Sequence, residues 1–266
     1  MRKIGFLLLS LGFFTASCSS DDSNNNTTGN ITNFLPQANG NYWVYDVAGE
    51  NLGSGRDSLY IANDTVIGSN TYKKLKTKFL PNGFFSGALS NNAMRVAGDE
   101  LIVSGEVTIP FSQDFPISIS ITDFTIFKEG ASANAMLDQV DGTISQTYQN
   151  YPLDFDYTLT TTAKGDLATY SVNGHNYTNV KKVETALQLK ISTTLDIQGF
   201  PLTITILPEQ NVLTSTQYYA EGIGVVHVTS DFQYQLDETS PFTSQLPVPA
   251  SASEHQEEVL DDYNVE

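Results

Sequence analysis

Strict alternation of apolar and polar residues constrains this chain more than any other feature. Within residues 115–127, Ile117, Ile119 and Ile121 share one parity, and Ser118, Ser120 and Thr122 share the other. Leu153, Phe155, Tyr157 and Leu159 alternate with Asp154, Asp156, Thr158 and Thr160. Leu187, Leu189, Ile191 and Leu195 alternate with Gln188, Lys190, Ser192 and Thr194, and Leu202, Ile204 and Ile206 repeat the pattern. Successive side chains of a strand point to opposite faces, so a period of two marks strands apolar on one face and wet on the other. Near the start of the folded region, Trp43, Tyr45 and Val47 share one face and Tyr42, Val44 and Asp46 the other. Trp43, the single tryptophan, reads as a core anchor. Residues 66–76 read as a hairpin turning at Gly68-Ser69-Asn70, and Gly98-Asp99 marks another hairpin between 94–97 and 100–104. Gly222 and Gly224 allow a bend between aromatic and β-branched strand residues. Helical spacing is scarce. Ala133, Met136, Leu137 and Val140 predict one short helix within 131–140, and residues 86–92 and 150–152 read as loops. The expected class is mainly β, antiparallel, with at most one or two short helices.

The amino terminus reads as an address. Arg2 and Lys3 precede the apolar run 4–14, and Thr15, Ala16 and Ser17 are small residues before Cys18. The run is shorter than the ~20 residues needed to span a bilayer, so residues 1–17 read as a signal peptide. Cys18 is the only cysteine. An internal disulfide is therefore impossible, and Cys18 stands where the lipidated cysteine of a lipoprotein stands. Thr15 departs from the aliphatic residue usual three positions before that cysteine. Residues 18–33 read as the lipidated cysteine plus a flexible polar tether, 34–250 as one β-rich domain, and 251–266, with six acids after the Pro247-Val248-Pro249 stretch, as an acidic disordered tail.

Charge narrows the function. There are 13 Lys plus Arg against 30 Asp plus Glu, and the signal removes two basic residues and no acidic one. Such a surface repels nucleic acid, so no nucleic-acid partner is expected. The chemistry-bearing residues form no catalytic signature. His175, His227 and His255 are far apart in sequence and have no paired Cys/His spacing, so no metal is expected. His227 reads as a half-exposed strand histidine. No nucleophile elbow or phosphate loop occurs, so no cofactor is expected. Asp138-Gln139-Val140-Asp141-Gly142 reads as a turn rather than a calcium loop. Asp154 and Asp156 read as exposed strand aspartates, with a glycosidase-like carboxylate pair as the alternative.

Three segments carry a resemblance. Pro36 with Gly40-Asn41-Tyr42-Trp43-Val44-Tyr45, then Val172-Asn173-Gly174-His175-Asn176-Tyr177-Thr178-Asn179-Val180-Lys181, then Tyr218-Tyr219-Ala220-Glu221-Gly222-Ile223-Gly224-Val225-Val226 occur in this order. Together they resemble a set of Bacteroidota exported lipoproteins. Ser19-Ser20-Asp21-Asp22-Ser23 also resembles the surface-export signal of that group. The resemblance implies a large curved antiparallel sheet, a half-barrel or open barrel similar to that of the Lol-type lipoprotein carriers, whose concave face holds acyl chains. It implies an outer-membrane lipoprotein at the cell surface, or otherwise on the periplasmic face, without catalysis. Its partners would be the membrane, through Cys18, and a lipid or other apolar ligand. The alternative is a surface structural or interaction lipoprotein with a filled core. Asp57-Ser58-Leu59 and Asp64-Thr65-Val66 resemble Bacteroidota O-glycosylation triplets, which would place sugar on Ser58 and Thr65. The segments around 66–76 and 172–183 echo each other, which fits either a duplication or shared turn chemistry.

Overall fold

The computed structural model describes residues 34–50, 53–112, 115–246 and 248–266. The expected signal peptide (1–17) and the lipidated Cys18 with its tether (18–33) lie outside them. The fold is mainly β. Its strands are β1 (Tyr42–Gly49), β2 (Gly53–Ile67), β3 (Asn70–Thr77), β4 (Ala93–Ala97), β5 (Glu100–Ser112), β6 (Phe115–Lys128), β7 (Met136–Tyr148), β8 (Tyr151–Val172), β9 (His175–Ile197), β10 (Phe200–Ala220), β11 (Gly224–Gln235) and β12 (Ser251–Asn264), with one short helix, α1 (Phe84–Leu89). All twelve form one antiparallel sheet in the order β6-β5-β4-β3-β2-β1-β12-β11-β10-β9-β8-β7. Apart from β6 and β7, each strand pairs with its neighbour in sequence, and the first pairs with the last. The sheet is an up-and-down meander nearly closed into a barrel.

The seam lies between β6 and β7. Side chains bridge it: the Thr125 amide donates to Asp138 at 2.8 Å and the Thr161 hydroxyl donates to the Thr125 carbonyl at 2.6 Å. No residue of β7 is buried, as suits an edge. The expected turn at Asp138–Gly142 is thus mid-strand, and the expected helix over 131–140 is a set of turns leading into β7. Apolar residues at helical spacing are no bar to an edge strand here, where every residue is at least partly exposed and the strand pairs with β8.

The acidic segment 251–266 is the largest correction. It is β12, in register with β1 from Tyr42↔Asn264 to Gly49↔Gln256 and with β11 from His227↔Val259 to Gln235↔Ser251. Composition suggested a solvated tail. Parity instead puts Gln256, Glu258 and Leu260 inward, all buried, while Glu257 and Asp261 face water. Arg56 of β2 pairs with outward Asp46 and Asp261, which offsets part of the charge on this face.

Turn chemistry sets the long hairpins. Gln149-Asn150, Asn173-Gly174 and Gln198-Gly199 each link two strands through two residues, both at positive φ. That pattern matches the right-handed twist of the flanking strands. Gly68-Ser69 and Gly98-Asp99 have positive φ at the first residue only. The two echoing segments are therefore both two-residue hairpins, with different turns.

Alternation places the core. Trp43 and Tyr45 point inward and are buried. The Trp43 indole donates to the Ile223 carbonyl at 2.6 Å, and the Tyr45 hydroxyl donates to the Val225 carbonyl at 2.9 Å. Gly224 has φ +119, and a Cβ there would come within 2.8 Å of the Trp43 indole nitrogen. The glycine bend is needed both for its backbone angle and for the close approach of Trp43.

Candidate functional site: a plugged apolar lumen

Residues 78–92 leave β3, enter the barrel as α1, and return to β4. Residues 86–92, read as a loop from sequence, thus contribute most of a helix. Phe85, Ser86 and Leu89 are buried, and Phe85 meets Tyr45 edge-on at 6.0 Å between ring centroids. A helix this short leaves its first amides without partners inside itself, and α1 has no side-chain N-cap of its own. The barrel wall supplies the acceptors.

Asp57 of β2 accepts the Asn82 amide at 2.9 and 3.0 Å, the Asn82 side chain at 3.0 Å and the Gly83 amide at 2.7 Å. Gln256 accepts the Phe84 amide at 2.6 Å and donates to the Asn82 carbonyl at 3.1 Å. Glu258 accepts the Phe85 amide at 2.6 Å, the Ser86 amide at 3.1 Å and the Ser86 hydroxyl at 2.6 Å. Five consecutive amides are thereby satisfied by three side chains from two strands on either side of β1. Gly83 has no room for a Cβ, which would overlap the Glu258 carboxylate. At the other end, Asn92 donates to the Ala88 carbonyl at 2.5 Å and the Glu106 carbonyl at 2.8 Å, and accepts the Glu106 amide at 2.9 Å. Gly105, at φ +145, makes way for the Asn92 carboxamide.

Glu258 is 1% exposed and Asp57 is 3% exposed, while no lysine or arginine is buried among the described residues. Desolvation pushes the Glu258 pKa up to about 7, against the pull of the Ser86 and Phe85 hydrogen bonds; nearby Asp57 pushes it further up. Burying a carboxylate is costly unless hydrogen bonds replace its water. Here they are aimed at one peptide segment, so the arrangement holds α1 in place.

Beside α1 lies a cavity of ≈ 70 Å³. Phe84, Phe85, Ala88 and Leu89 form its α1 side, and Val103, Val107, Ile121, Phe124, Ile126, Leu159 and Leu213 form most of the wall. Thr185, Ser215 and Gln217 add a few polar atoms, and Gln217 donates to Ser215 at 2.9 Å. This surface suits an aliphatic group. Asp57 and Glu258 already use their oxygens on backbone amides.

The other residues singled out from sequence do not converge on the lumen. Cys18 lies outside the described residues. Ser58 and Thr65 sit half-buried on β2; Asp57, the first residue of the Ser58 triplet, is turned inward onto α1. Asp154 and Asp156 accept hydrogen bonds from Ser145 at 2.6 Å and Thr143 at 2.7 Å across the β7–β8 ladder. His175 is exposed beside the Asn173-Gly174 turn. His227 is buried rather than half-exposed, because Tyr170 covers it: the Tyr170 oxygen is 2.5 Å from the His227 Nδ1, and Tyr170 stacks on Tyr218 at 4.2 Å. His255 meets Asp231 at 2.7 Å. Among the described residues no group of three or more His, Cys, Asp or Glu could hold a metal ion.

The residues that build the lumen latch escaped the sequence reading. Asp57 stood out only as part of a glycosylation triplet, and Gln256 and Glu258 were assigned to the tail. Leu260 aside, this segment offers no apolar parity that could have signalled them. Compared with known proteins, the chain matches no family model, no curated protein and no solved structure.

Proposed function

We propose that this chain is a non-catalytic lipoprotein of the outer membrane, displayed at the cell surface, whose barrel takes up an apolar or amphipathic ligand. The cavity beside α1 carries the ligand part: its wall is aliphatic and aromatic, and it adjoins a helix that occupies the lumen without filling it. The anchor part rests on Arg2-Lys3, the apolar run 4–14 and the small residues before Cys18. Acyl chains there contribute about 0.8 kcal/mol per buried CH₂, so two or more give stable anchoring. The family reading rests on the three sequence segments alone.

A second reading, a surface structural protein with a filled core, draws on α1 itself. The ≈ 70 Å³ that it leaves is smaller than the ~150 Å³ of an engineered cavity that binds one benzene. Native mass spectrometry of protein purified gently from its own host separates the two. The ligand reading expects acyl mass on Cys18, lost in Cys18→Ala, and a second, non-covalent apolar species, lost in Leu159→Trp. Acylated protein that carries no such species and takes up no 1-N-phenylnaphthylamine supports the filled-core reading. Protein without acyl mass overturns the anchor.

A further inference from the structure

We propose that α1 is a displaceable plug: release of the amides of 82–86 from Asp57, Gln256 and Glu258 withdraws it from the lumen and admits one aliphatic chain whose head is neutral or cationic. This inference rests on the lumen being the ligand site and adds how the site opens and what it admits.

Four observations support it. The cavity of ≈ 70 Å³ beside α1 shows that the helix packs incompletely against the wall. A tightly fitted apolar plug would leave no such space. The helix is only six residues long and has no cap of its own, so its stability in the lumen depends on the wall. The latch that holds it includes two buried carboxylates: Glu258, 1% exposed, and Asp57, 3% exposed, are kept there by bonds to this one segment. Such bonds exchange readily for water once the segment moves, because hydrated carboxylates lose little when protein amides leave. Finally, Phe79 and Leu80, immediately before the latch, are 83% and 90% exposed. These two side chains make little contact with the barrel, so the segment between the Lys78–Ser58 backbone bond and the latch is free to act as the hinge.

Withdrawal also decides the ligand class. The space that α1 vacates is bounded by Val103, Val107, Leu159 and Leu213 on the cavity side and by Asp57 and Glu258, the wall carboxylates whose bonds to the segment are then released. Two carboxylates there repel an anionic head, and among the described residues no buried lysine or arginine balances them. A free fatty acid is disfavoured, while an alcohol or an amine of the same chain is accepted.

The test uses the mature full-length protein with three twelve-carbon probes: dodecanol, dodecylamine and dodecanoate. Binding is read by displacement of 1-N-phenylnaphthylamine, and plug release by hydrogen exchange of the amides of 82–89, both in about 0.5 M salt to screen the acidic surface. Dodecanol and dodecylamine are expected to bind and to strip protection from 82–89 over the same concentration range, with dodecanoate roughly ten-fold weaker or more. Glu258→Gln, which weakens the latch, should raise dodecanol affinity several-fold, because less of the binding free energy goes into opening. Ser86→Ala, which removes one latch bond and leaves the wall intact, gives the same direction if Glu258→Gln does not fold. Probes that bind while 82–89 stays protected overturn the plug and leave the lumen reading standing. Equal affinity for all three heads overturns the head-group selection. If no probe binds, the lumen reading falls and takes the plug with it.

Discussion

Glu258 is the residue at which the cost of this architecture is concentrated. Removing its side chain in Glu258→Ala strands the Phe85 and Ser86 amides in the interior, at about 1–3 kcal/mol for each buried group left unsatisfied. We expect a loss of about 2–4 kcal/mol in urea unfolding, and a smaller one for Glu258→Gln, which keeps an acceptor. The pH dependence has a definite sign. Burial raises the folded pKa of Glu258 to about 7, above the ordinary 4.5. Its contribution is therefore fully present below about pH 4.5 and is lost as pH rises through about 7. The groups facing it are Asp57, Gln256 and Ser86. Urea midpoints at pH 5 and pH 8 should fall more steeply in the wild type than in Glu258→Gln; parallel curves would rule out Glu258 as the titrating group. His227 works in the opposite sense. Burial holds its pKa below 6.5, despite nearby Glu257. The stability linked to its neutral form is present above about pH 6.5 and is lost as pH falls through the lower folded value. His255 is held up instead, chiefly by its hydrogen bond to Asp231. Imidazole NMR titration should show His255 holding its proton to a higher pH than His227 does. Gly83→Ala should destabilise by about 2 kcal/mol, because its Cβ and the Glu258 carboxylate compete for one place.

Among the elements, β12 matters most, and the reason is topological. It joins β1 to β11, so it turns two half-sheets into one continuous sheet whose two edges meet at the β6–β7 seam. A chain ending at Ala250 should lose cooperative unfolding altogether, not merely shed a tail; near-ultraviolet circular dichroism and a sharp thermal transition would check this. A truncated chain that keeps both would contradict this role of β12. The strands with clean alternation, such as β6, β8 and β9, were legible because one face meets the interior and the other meets water. Segment 251–266 was not, because acids on both faces hide its parity: Glu258 faces inward and Glu257 outward. The residue that makes the segment look like a tail is the one that receives α1. The helix itself carried no readable signal. Phe84-Phe85-Ser86-Gly87-Ala88-Leu89 is too short for a helical period to be distinguished, and its helical form depends on amides capped by residues far away in sequence.

At the scale of the whole molecule, the barrel has one joint without a ladder, between β6 and β7. Asp138 and Thr161 hold it through the backbone of Thr125. Asp138→Ala should leave the fold intact and speed hydrogen exchange at the Thr125 amide by about ten-fold, the equivalent of about 1.4 kcal/mol. An unchanged rate would mean that backbone packing, rather than the carboxylate, holds the seam. Twelve strands enclose more space than side chains from the wall fill by themselves, and larger barrels enclose cavities. Here α1 and the inward aromatics occupy most of it.

Period-two patterning and turn residues by themselves determined that this chain is an antiparallel β protein, that hairpins bend at Gly68-Ser69 and Gly98-Asp99, and that Trp43 belongs to the core, because these depend on neighbours one or two residues apart. Only the tertiary structure decided that the sheet comes round on itself, that the last strand completes it, and that Asp57, Gln256 and Glu258 meet one short helix. Those contacts join residues 25 to 174 positions apart. Local pattern carries no record of such a pairing: a carboxylate on a strand looks the same whether it faces water or two backbone amides.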